Sequence, residues 1–326
     1  MTGLRARAQV PTLPAGRGAY ESFFLKAAAP EGGRAVWVRY TTLRYADGRL
    51  SGALWFTAFG QGPPVSLRRL VTSDEVGYPA GAYVDVAGGV LAANSASGHL
   101  TVGGTTVSWD LAFDDGLAAF RHLRPDRLYR SPLPRTKLET LNPASTFGGT
   151  FSIDGMEEDV AGWRGMVGHN WGAEHAERWV WLQGNDIGVD GCHLDIGAGR
   201  LLVRGRLTPW VANGLLVLDG ERLRLGGLTR LRGTSVDLSG HECCFRVTGR
   251  DVEVSGLFRR RAGDSVGWDY DGPSGEAHHV VNSSIADLSL TVRRRRGTRH
   301  LALLAGAVYE TGSREPAPDV PAGLSG

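Results

Sequence analysis

Short runs of alternating hydrophobic and polar residues, separated by turn-forming residues, recur along nearly the whole chain. In residues 34–42, for example, Val36 and Val38 fall on one side of a strand and Trp37 and Arg39 on the other, because side chains alternate along a strand. Asp-Gly and Gly-Gly pairs supply the turns between such runs. Helical spacing of hydrophobic residues is hard to find, and helices do not alternate with strands. The pattern therefore predicts an all-β protein.

Candidate strands occur in both halves of the chain. In the first half they are residues 20–26, 34–42, 54–59, 65–71, 82–86, 90–93, 99–102, 105–113, 147–153 and 163–171. In the second half they are residues 178–184, 189–196, 200–207, 214–219, 222–230, 242–249, 251–260, 277–292 and 299–310. Prolines at positions 125, 132, 134 and 143, between the candidate strands 105–113 and 147–153, predict an extended crossing segment.

These strands predict two consecutive antiparallel barrels or sandwiches, since closing a sheet removes exposed edges. We expect the first β domain to span residues 19–172 and the second residues 173–311. Residues 1–18 are expected to form an irregular arm. Residues 312–326, which contain three prolines, are expected to form a disordered tail.

Composition narrows the function classes. The chain has 326 residues and 47 glycines, roughly twice the usual share, as many tight turns require. A net charge of +2 is too small to indicate nucleic acid as the main partner. No apolar run has the length of a transmembrane helix or the character of a signal peptide. Three cysteines form neither a disulfide framework nor a zinc set, so we expect a cytoplasmic protein with reduced thiols and no metal.

One stretch concentrates large aromatic and ionisable side chains. Alternation along residues 163–171 places three of them on one face: Trp163, His169 and Trp171. After a polar connection, Trp179 and Trp181 again share a face. Indole rings combine a broad apolar surface with one N–H donor, which suits a cavity for a flat apolar ligand. The alternative is that these tryptophans are core residues and that the histidines bond to nearby backbone.

The same stretch resembles the carotenoid 1,2-hydratase and tocopherol cyclase-like (AttH-like) group. The resemblance rests on Gly165, His169, Asn170, Trp171 and Gly172, followed by Trp179 and Trp181. Weaker matches lie at residues 20–24 and 147–155. The likeness in organisation covers about residues 19–311, whereas the specific motif covers about twenty residues. The resemblance implies a tandem lipocalin-like architecture.

The resemblance also implies an activity. Members of the wider group hydrate isolated double bonds, cyclise prenylated quinols, or act as cyclases in natural-product pathways. Hydratase-like members carry an aspartate immediately before the histidine, where this chain has Gly168. If that carboxylate protonates the alkene in relatives, Glu174 or Glu177 has to supply the proton here.

We therefore expect a cofactor-independent hydratase or cyclase that acts on a hydrophobic isoprenoid- or polyketide-like small molecule. Alkene protonation needs an acid in an apolar pocket and aromatic faces that stabilise a cation. The expected catalytic residues are His169, Glu174 and His175, and the expected ligand-binding residues are Trp163, Asn170, Trp171, Trp179, Trp181 and Asn282. Two other classes stay open: a lipocalin-type carrier without chemistry, and an interaction module whose tryptophans are exposed.

Overall fold

The computed structural model describes residues 8–14, 16–316 and 320–326. Within them lie two large curled sheets, one two-stranded ribbon and four short 3-10 helices: Val10–Thr12, Ser73–Glu75, Asp126–Tyr129 and Leu228–Gly233. All strand pairings but one are antiparallel. This architecture confirms the predicted all-β, lipocalin-like fold.

The first sheet contains every large strand up to residue 172. Its strands are β1 (Ala19–Ala28), β2 (Ala35–Arg44), β3 (Leu50–Gly60), β4 (Gly62–Thr72), β5 (Val76–Gly77), β6 (Ala82–Val86), β7 (Gly89–Ala92), β8 (Ser95–Val102), β9 (Thr105–Phe113), β10 (Phe120–Arg121), β11 (Thr136–Ile153), β12 (Met156–Asp159) and β13 (Trp163–Gly172). The central order is β4-β3-β2-β1-β13-β11-β9-β8.

The second sheet begins after the connection at residues 173–177. Its strands are β14 (Arg178–Asn185), β15 (His193–Arg200), β18 (Val211–Leu218), β19 (Glu221–Gly226), β20 (Ser235–Ser239), β21 (Glu242–Thr248), β22 (Val252–Arg259), β23 (Val266–Asp271), β24 (Ala277–Arg294) and β25 (Gly297–Ser313). The separate two-stranded ribbon consists of β16 (Leu202–Val203) and β17 (Arg206–Leu207), which follow β15 in sequence. A last short strand, β26 (Leu324–Ser325), pairs in parallel with β4 of the first sheet.

Each sheet encloses its own hydrophobic core, and a third layer lies between the sheets. On β1, Phe23 and Leu25 belong to the first core, whereas Phe24 packs edge-on against Trp181 of β14, at 5.0 Å between ring centroids. Lys26, two residues further along the same face, reaches the Gly306 carbonyl of β25. We call the side chains between the two sheets the intersheet layer; its apolar members are Phe24, Trp37, Trp55, Met166, Trp181, Trp268, Tyr270, Val280, Ile285 and Val308 with small flanking residues.

Several elements differ from their predicted bounds. β11 starts at Thr136 and passes through Pro143, where shifts in pairing register on both sides of Asn142 accommodate a residue that cannot donate to the ladder. The segment predicted as an extended crossing is therefore partly strand. Six of the described strands were not predicted: β5, β10, β12, β20, β23 and β26.

The chain termini are also more ordered than predicted wherever they are described. Residues 1–7, 15 and 317–319 lie outside the described residues. The backbone amides of Gln9 and Val10 bond to the Glu21 carboxylate, so this part of the predicted arm is fixed against β1. β25 runs to Ser313, and the described residues 320–326 lie along β23 and β4. The expectation of a disordered tail therefore fails for these segments. No helix among the described residues has the length and apolar character needed to cross a membrane.

Candidate active site

A buried carboxyl group, Glu310 on β25, lies at the centre of a polar cluster in the intersheet layer. Its oxygens accept hydrogen bonds from Trp179 Nε1 at 3.2 Å, Tyr270 Oη at 3.3 Å and Asn282 Nδ2 at 3.1 Å. Burial raises the pKa of Glu310, and the charge of Arg39 together with these three donors offsets part of the rise. All three hydrogen-bond donors are neutral, and none of them forms an ion pair with the carboxyl.

Arg39 supplies the positive charge that faces this cluster from the first sheet. Its Nε donates to Ser22 Oγ at 2.5 Å, and its guanidinium lies 3.6 Å from the centroid of the Tyr270 ring. Arg39 is 4% exposed. The Glu310 cluster is therefore built by both sheets: Tyr20, Ser22 and Arg39 come from the first, and Trp179, Tyr270, His278, Asn282 and Glu310 from the second.

His175, in the connection between the sheets, joins the same cluster. Its ring stacks on Tyr20 at 3.8 Å and on Trp179 at 5.4 Å between centroids. Burial, then the charges of Arg39 and His278, holds the pKa of His175 well below its usual value, so the imidazole is neutral at pH 7. A neutral imidazole can accept a proton.

His278 on β24 also belongs to the cluster. It is fully buried, and its ring lies 5.3 Å from Trp179 and 5.6 Å from His175. Neither of its ring nitrogens has a hydrogen-bond partner among the described residues. Burial lowers the pKa of His278. This imidazole therefore departs from the rule that buried polar groups are paired.

The predicted catalytic residue His169 lies elsewhere, inside the first core. It stacks between Phe23 at 4.1 Å and Trp171 at 4.3 Å, and its Nε2 lies 2.7 Å from the Glu21 carboxylate. Both partners of this pair are buried. Nδ1 of His169 has no partner among the described residues. The sheet itself separates this pair from the Glu310 cluster, because Glu21 and Tyr20 point to opposite faces of β1.

Glu174, the second predicted catalytic residue, is tied to the protein surface. Its carboxylate pairs with Arg135 at 2.6 Å and lies 3.7 Å from Arg314, and its side chain is 30% exposed. Arg314 also pairs with Glu177 at 3.0 Å. These ion pairs hold the connection above the Glu310 cluster. Glu174 is therefore not the desolvated acid that the sequence predicted.

The tryptophans expected to line one chamber fall into two groups, which corrects that expectation. Trp163 and Trp171 belong to the side of β13 that faces the first core, and Trp171 packs against Tyr129 at 5.7 Å. Trp179 and Trp181 face the intersheet layer. Asn170, on the other side of β13, faces that layer too, and its Oδ1 is buried without a partner among the described residues. The structure brings together three of the predicted residues: His175, Trp179 and Asn282.

A second polar cluster lies further along the intersheet layer, around Asp195 on β15. Trp181 Nε1 donates to its Oδ1 at 3.1 Å, and His122 Nε2 lies 3.3 Å from Oδ2. Burial opposes ionisation of Asp195, but His122 and the Thr140 hydroxyl outweigh it and lower the pKa to about 2. With its pKa lowered, Asp195 is ionised at neutral pH and orients Trp181 through this hydrogen bond.

Unpaired polar atoms are frequent across the intersheet layer. Among the described residues, the buried atoms there without a hydrogen-bond partner include Trp37 Nε1, Thr41 Oγ1, Trp55 Nε1, Thr57 Oγ1, Ser66 Oγ, Gln183 Oε1, His193 Nε2 and Trp268 Nε1. A layer that served only to join two sheets would be expected to pair these groups. Their hydrogen-bonding capacity is not used by the described residues.

Two surface depressions lie away from these clusters. One of about 500 Å³ is lined by β22, β24 and β25, and one of about 230 Å³ by β4, residues 265–266 and residues 321–324. None of the site residues predicted from the sequence lines either depression.

Sequence comparisons find two similar proteins, both uncharacterised. No established family profile matches the chain. Uncharacterised proteins of Mycobacterium tuberculosis strains CDC 1551 and H37Rv are each 25% identical to it over 308 residues, which is 93% of this chain and 89% of theirs.

Two solved structures share the fold. A protein of Nitrosomonas europaea described as AttH has a TM-score of 0.52 at 14% identity, over 91% of this chain and 92% of that one. Kievitone hydratase from Nectria haematococca has a TM-score of 0.51 at 11% identity, over 90% and 88%. The chain thus has the fold of these two structures, one of them an AttH protein, in agreement with the architecture that the resemblance implied.

Gly168, the position at which the resemblance to hydratase-like proteins implies an aspartate, is constrained by packing. A Cβ at this position would lie 2.3 Å from Cζ of Phe24, whose ring packs on Trp181. Gly168 also faces the intersheet layer, on the opposite side of β13 from His169. The intersheet packing in this chain therefore leaves no room for the aspartate.

Gly168→Ala is expected to destabilise the fold by about 1–3 kcal/mol, because the new methyl group displaces Phe24 from the intersheet layer. Chemical denaturation measures the loss. Gly148→Ala is the matched control, since a Cβ there meets nothing within 4 Å, and it should change stability by less than about 0.5 kcal/mol. Equal stability of the two variants would contradict the packing argument.

Six residues of the cluster were not predicted as site residues: Tyr20, Ser22, Arg39, Tyr270, His278 and Glu310. The sequence does carry a signal for two of them. Arg39 and Glu310 interrupt apolar strands, and such residues are almost never fully buried unless they are paired. In the sequence, a charged residue within an apolar strand therefore indicated this cluster more directly than the tryptophans did.

Proposed function

We propose that the protein is a hydratase or cyclase that protonates an alkene of a hydrophobic small molecule in the intersheet layer, without a cofactor. The proposal rests on the environment of Glu310, a buried carboxyl that accepts from three neutral donors; one of them, Trp179, also stacks against the neutral imidazole of His175. Pairs of titratable groups whose environments push their pKa values apart supply the acid and the base of such reactions.

Glu310 is the proton donor in this mechanism. Its raised pKa keeps part of the population protonated above the pH range of ordinary carboxyl groups. Once the proton has moved to the alkene, the carboxylate that forms is stabilised by Trp179, Tyr270 and Asn282, which already point at it, and by the charge of Arg39. The same contacts therefore favour the transition state.

His175 is the base, and the stacked rings around it stabilise the cation. The faces of Tyr20 and Trp179 flank His175, and an aromatic face attracts positive charge through its quadrupole. The neutral imidazole accepts a proton from water or from a hydroxyl group of the substrate as that oxygen attacks the cation. External water gives hydration, and an internal hydroxyl gives ring closure.

The fold neighbours support a hydratase over the other classes. One of them is a kievitone hydratase. Kievitone is therefore a reasonable first compound to assay with this protein, together with whatever hydrophobic ligand co-purifies with it and is seen by native mass spectrometry.

The test is turnover in isotopically labelled water. A hydratase yields a product heavier by one labelled water, and a cyclase yields an isomer of unchanged mass and altered chromatographic retention. A bound ligand that is always returned unchanged identifies the protein as a carrier and contradicts the proposal.

A further inference from the structure

The chain contains two lysines among its 36 lysine and arginine residues, Lys26 and Lys137. Both are buried, at 0% and 6% exposure. Every other strongly basic side chain is arginine, which cannot lose its proton in a protein and cannot act as an amine nucleophile. Lysine is thus confined to positions where water is excluded.

Lys26 lies in the intersheet layer on the same face of β1 as Ser22 and Phe24. Its Nζ donates one hydrogen bond, to the Gly306 carbonyl at 2.6 Å. Among the described residues, no carboxylate forms an ion pair with it. Burial lowers the pKa of Lys26 to about 7, so near neutral pH a large fraction of the side chain is the free amine. A desolvated neutral amine is the form that attacks carbonyl carbon.

The neighbours of Lys26 offer unused hydrogen-bond donors. Trp37 on β2 is its cross-strand neighbour, and Thr57 on β3 is the next in the same row. The indole N–H of Trp37 and the hydroxyl of Thr57 are buried and have no partner among the described residues. On the other side, Met166 of β13 supplies an apolar wall. An amine beside two free donors and an apolar wall matches a carbonyl group carried by a hydrophobic molecule.

We propose that Lys26 binds an aldehyde or ketone of the hydrophobic substrate as a reversible imine. The nitrogen lone pair forms the C–N bond while the carbonyl π electrons move to oxygen, which takes one proton from nitrogen to give a carbinolamine. The C–O bond then breaks as the C=N bond forms, and the second nitrogen proton leaves with the oxygen as water. Trp37 and Thr57 donate to the oxygen during addition. No oxidant or reductant is needed.

The position of Lys26 defines the substrate further. Lys26 lies four positions along β1 from Ser22, which contacts Arg39 of the Glu310 cluster, so the backbone positions of Lys26 and Ser22 are about 13 Å apart. A substrate that reaches both Lys26 and the Glu310 cluster is therefore an elongated molecule, with the carbonyl group at one end and the reactive alkene toward the other. This inference rests on the proposed function, because both place the substrate in the intersheet layer.

Reductive trapping tests the proposal. The folded protein is incubated near neutral pH with decanal and sodium cyanoborohydride, and peptide mapping by mass spectrometry locates the alkylated amines. We expect Lys26 to be labelled severalfold faster than Lys137, whose pKa burial lowers less, to about 8. The rate should rise with pH through the pKa of Lys26 and then level off, because the free amine reacts. Labelling of Lys137 alone, or labelling of Lys26 only after unfolding in denaturant, overturns the proposal and leaves Lys26 as a structural tie to Gly306.

Variants separate this proposal from the proposed function. Lys26→Arg keeps a donor to Gly306 and should lose the adduct; if Lys26→Arg does not fold, Lys26→Met keeps the length of the side chain and gives the same comparison. Glu310→Gln should lose turnover and keep trapping at Lys26. Turnover without trapping in the unmodified protein therefore refutes imine formation alone, and trapping without turnover refutes the role of Glu310 alone.

Discussion

Glu310→Gln lowers turnover by about 10²–10⁴-fold while the protein stays folded, because general acid catalysis typically contributes a factor of that size. Glutamine has nearly the same shape as glutamate, and its amide oxygen can still accept from Trp179, Tyr270 or Asn282. It cannot release a proton to an alkene. Steady-state kinetics in labelled water measures the loss, and circular dichroism with thermal unfolding reports the fold.

The pH dependence of activity in the unmodified protein shows which protonation state Glu310 and His175 each need. Activity should fall as pH rises through the raised pKa of Glu310, because the acid is then ionised. It should also fall as pH drops through the lowered pKa of His175, because the base is then protonated.

Glu242→Gln is the matched control for Glu310→Gln, since Glu242 pairs with Arg259 at 2.7 Å on an exposed part of the second sheet. A Glu310→Gln variant with full activity would remove this carboxyl from the mechanism.

The fold could be predicted because its causes are local. Alternation along residues 34–42 and 163–171, together with glycine-containing turns, specifies strands without knowledge of their partners. Pro143 shows where this fails. β11 continues through it because register shifts in its pairing with β13 absorb a residue that normally ends a strand. Those shifts depend on the partner strand, which the local pattern does not identify.

The site was only partly predictable, because its residues are distant in sequence. Trp179 and Glu310 form a hydrogen bond although they lie 131 positions apart in the sequence. Arg39 of the first sheet packs on the ring of Tyr270 of the second. Alternation correctly placed His169 and Trp171 on one face of β13, where they stack. It could not tell which face of that strand meets the second sheet. The single chamber expected around residues 163–181 therefore divides into a pair inside the first core and a cluster between the sheets.

Glu21→Ala is expected to destabilise the protein by about 3–5 kcal/mol, because it leaves several buried donors without an acceptor. The Glu21 carboxylate accepts from the backbone amides of Gln9 at 2.7 Å and Val10 at 3.0 Å, and it lies 2.7 Å from His169 Nε2. Removing it frees the N-terminal segment from β1 as well as the imidazole. Chemical denaturation of the purified variant measures the change.

Glu21→Gln and His169→Phe decide whether this pair is structural or also catalytic. Glutamine keeps one acceptor oxygen, which can pair with one of the two amides, so Glu21→Gln should cost less than Glu21→Ala. Phenylalanine preserves the aromatic stack between Phe23 and Trp171 and removes both ring nitrogens. If the pair serves only the fold, turnover of His169→Phe stays within a fewfold of the unmodified protein once stability is matched. A loss as large as that of Glu310→Gln in a stably folded His169→Phe variant would instead restore the catalytic role predicted for His169, with the reaction inside the first core.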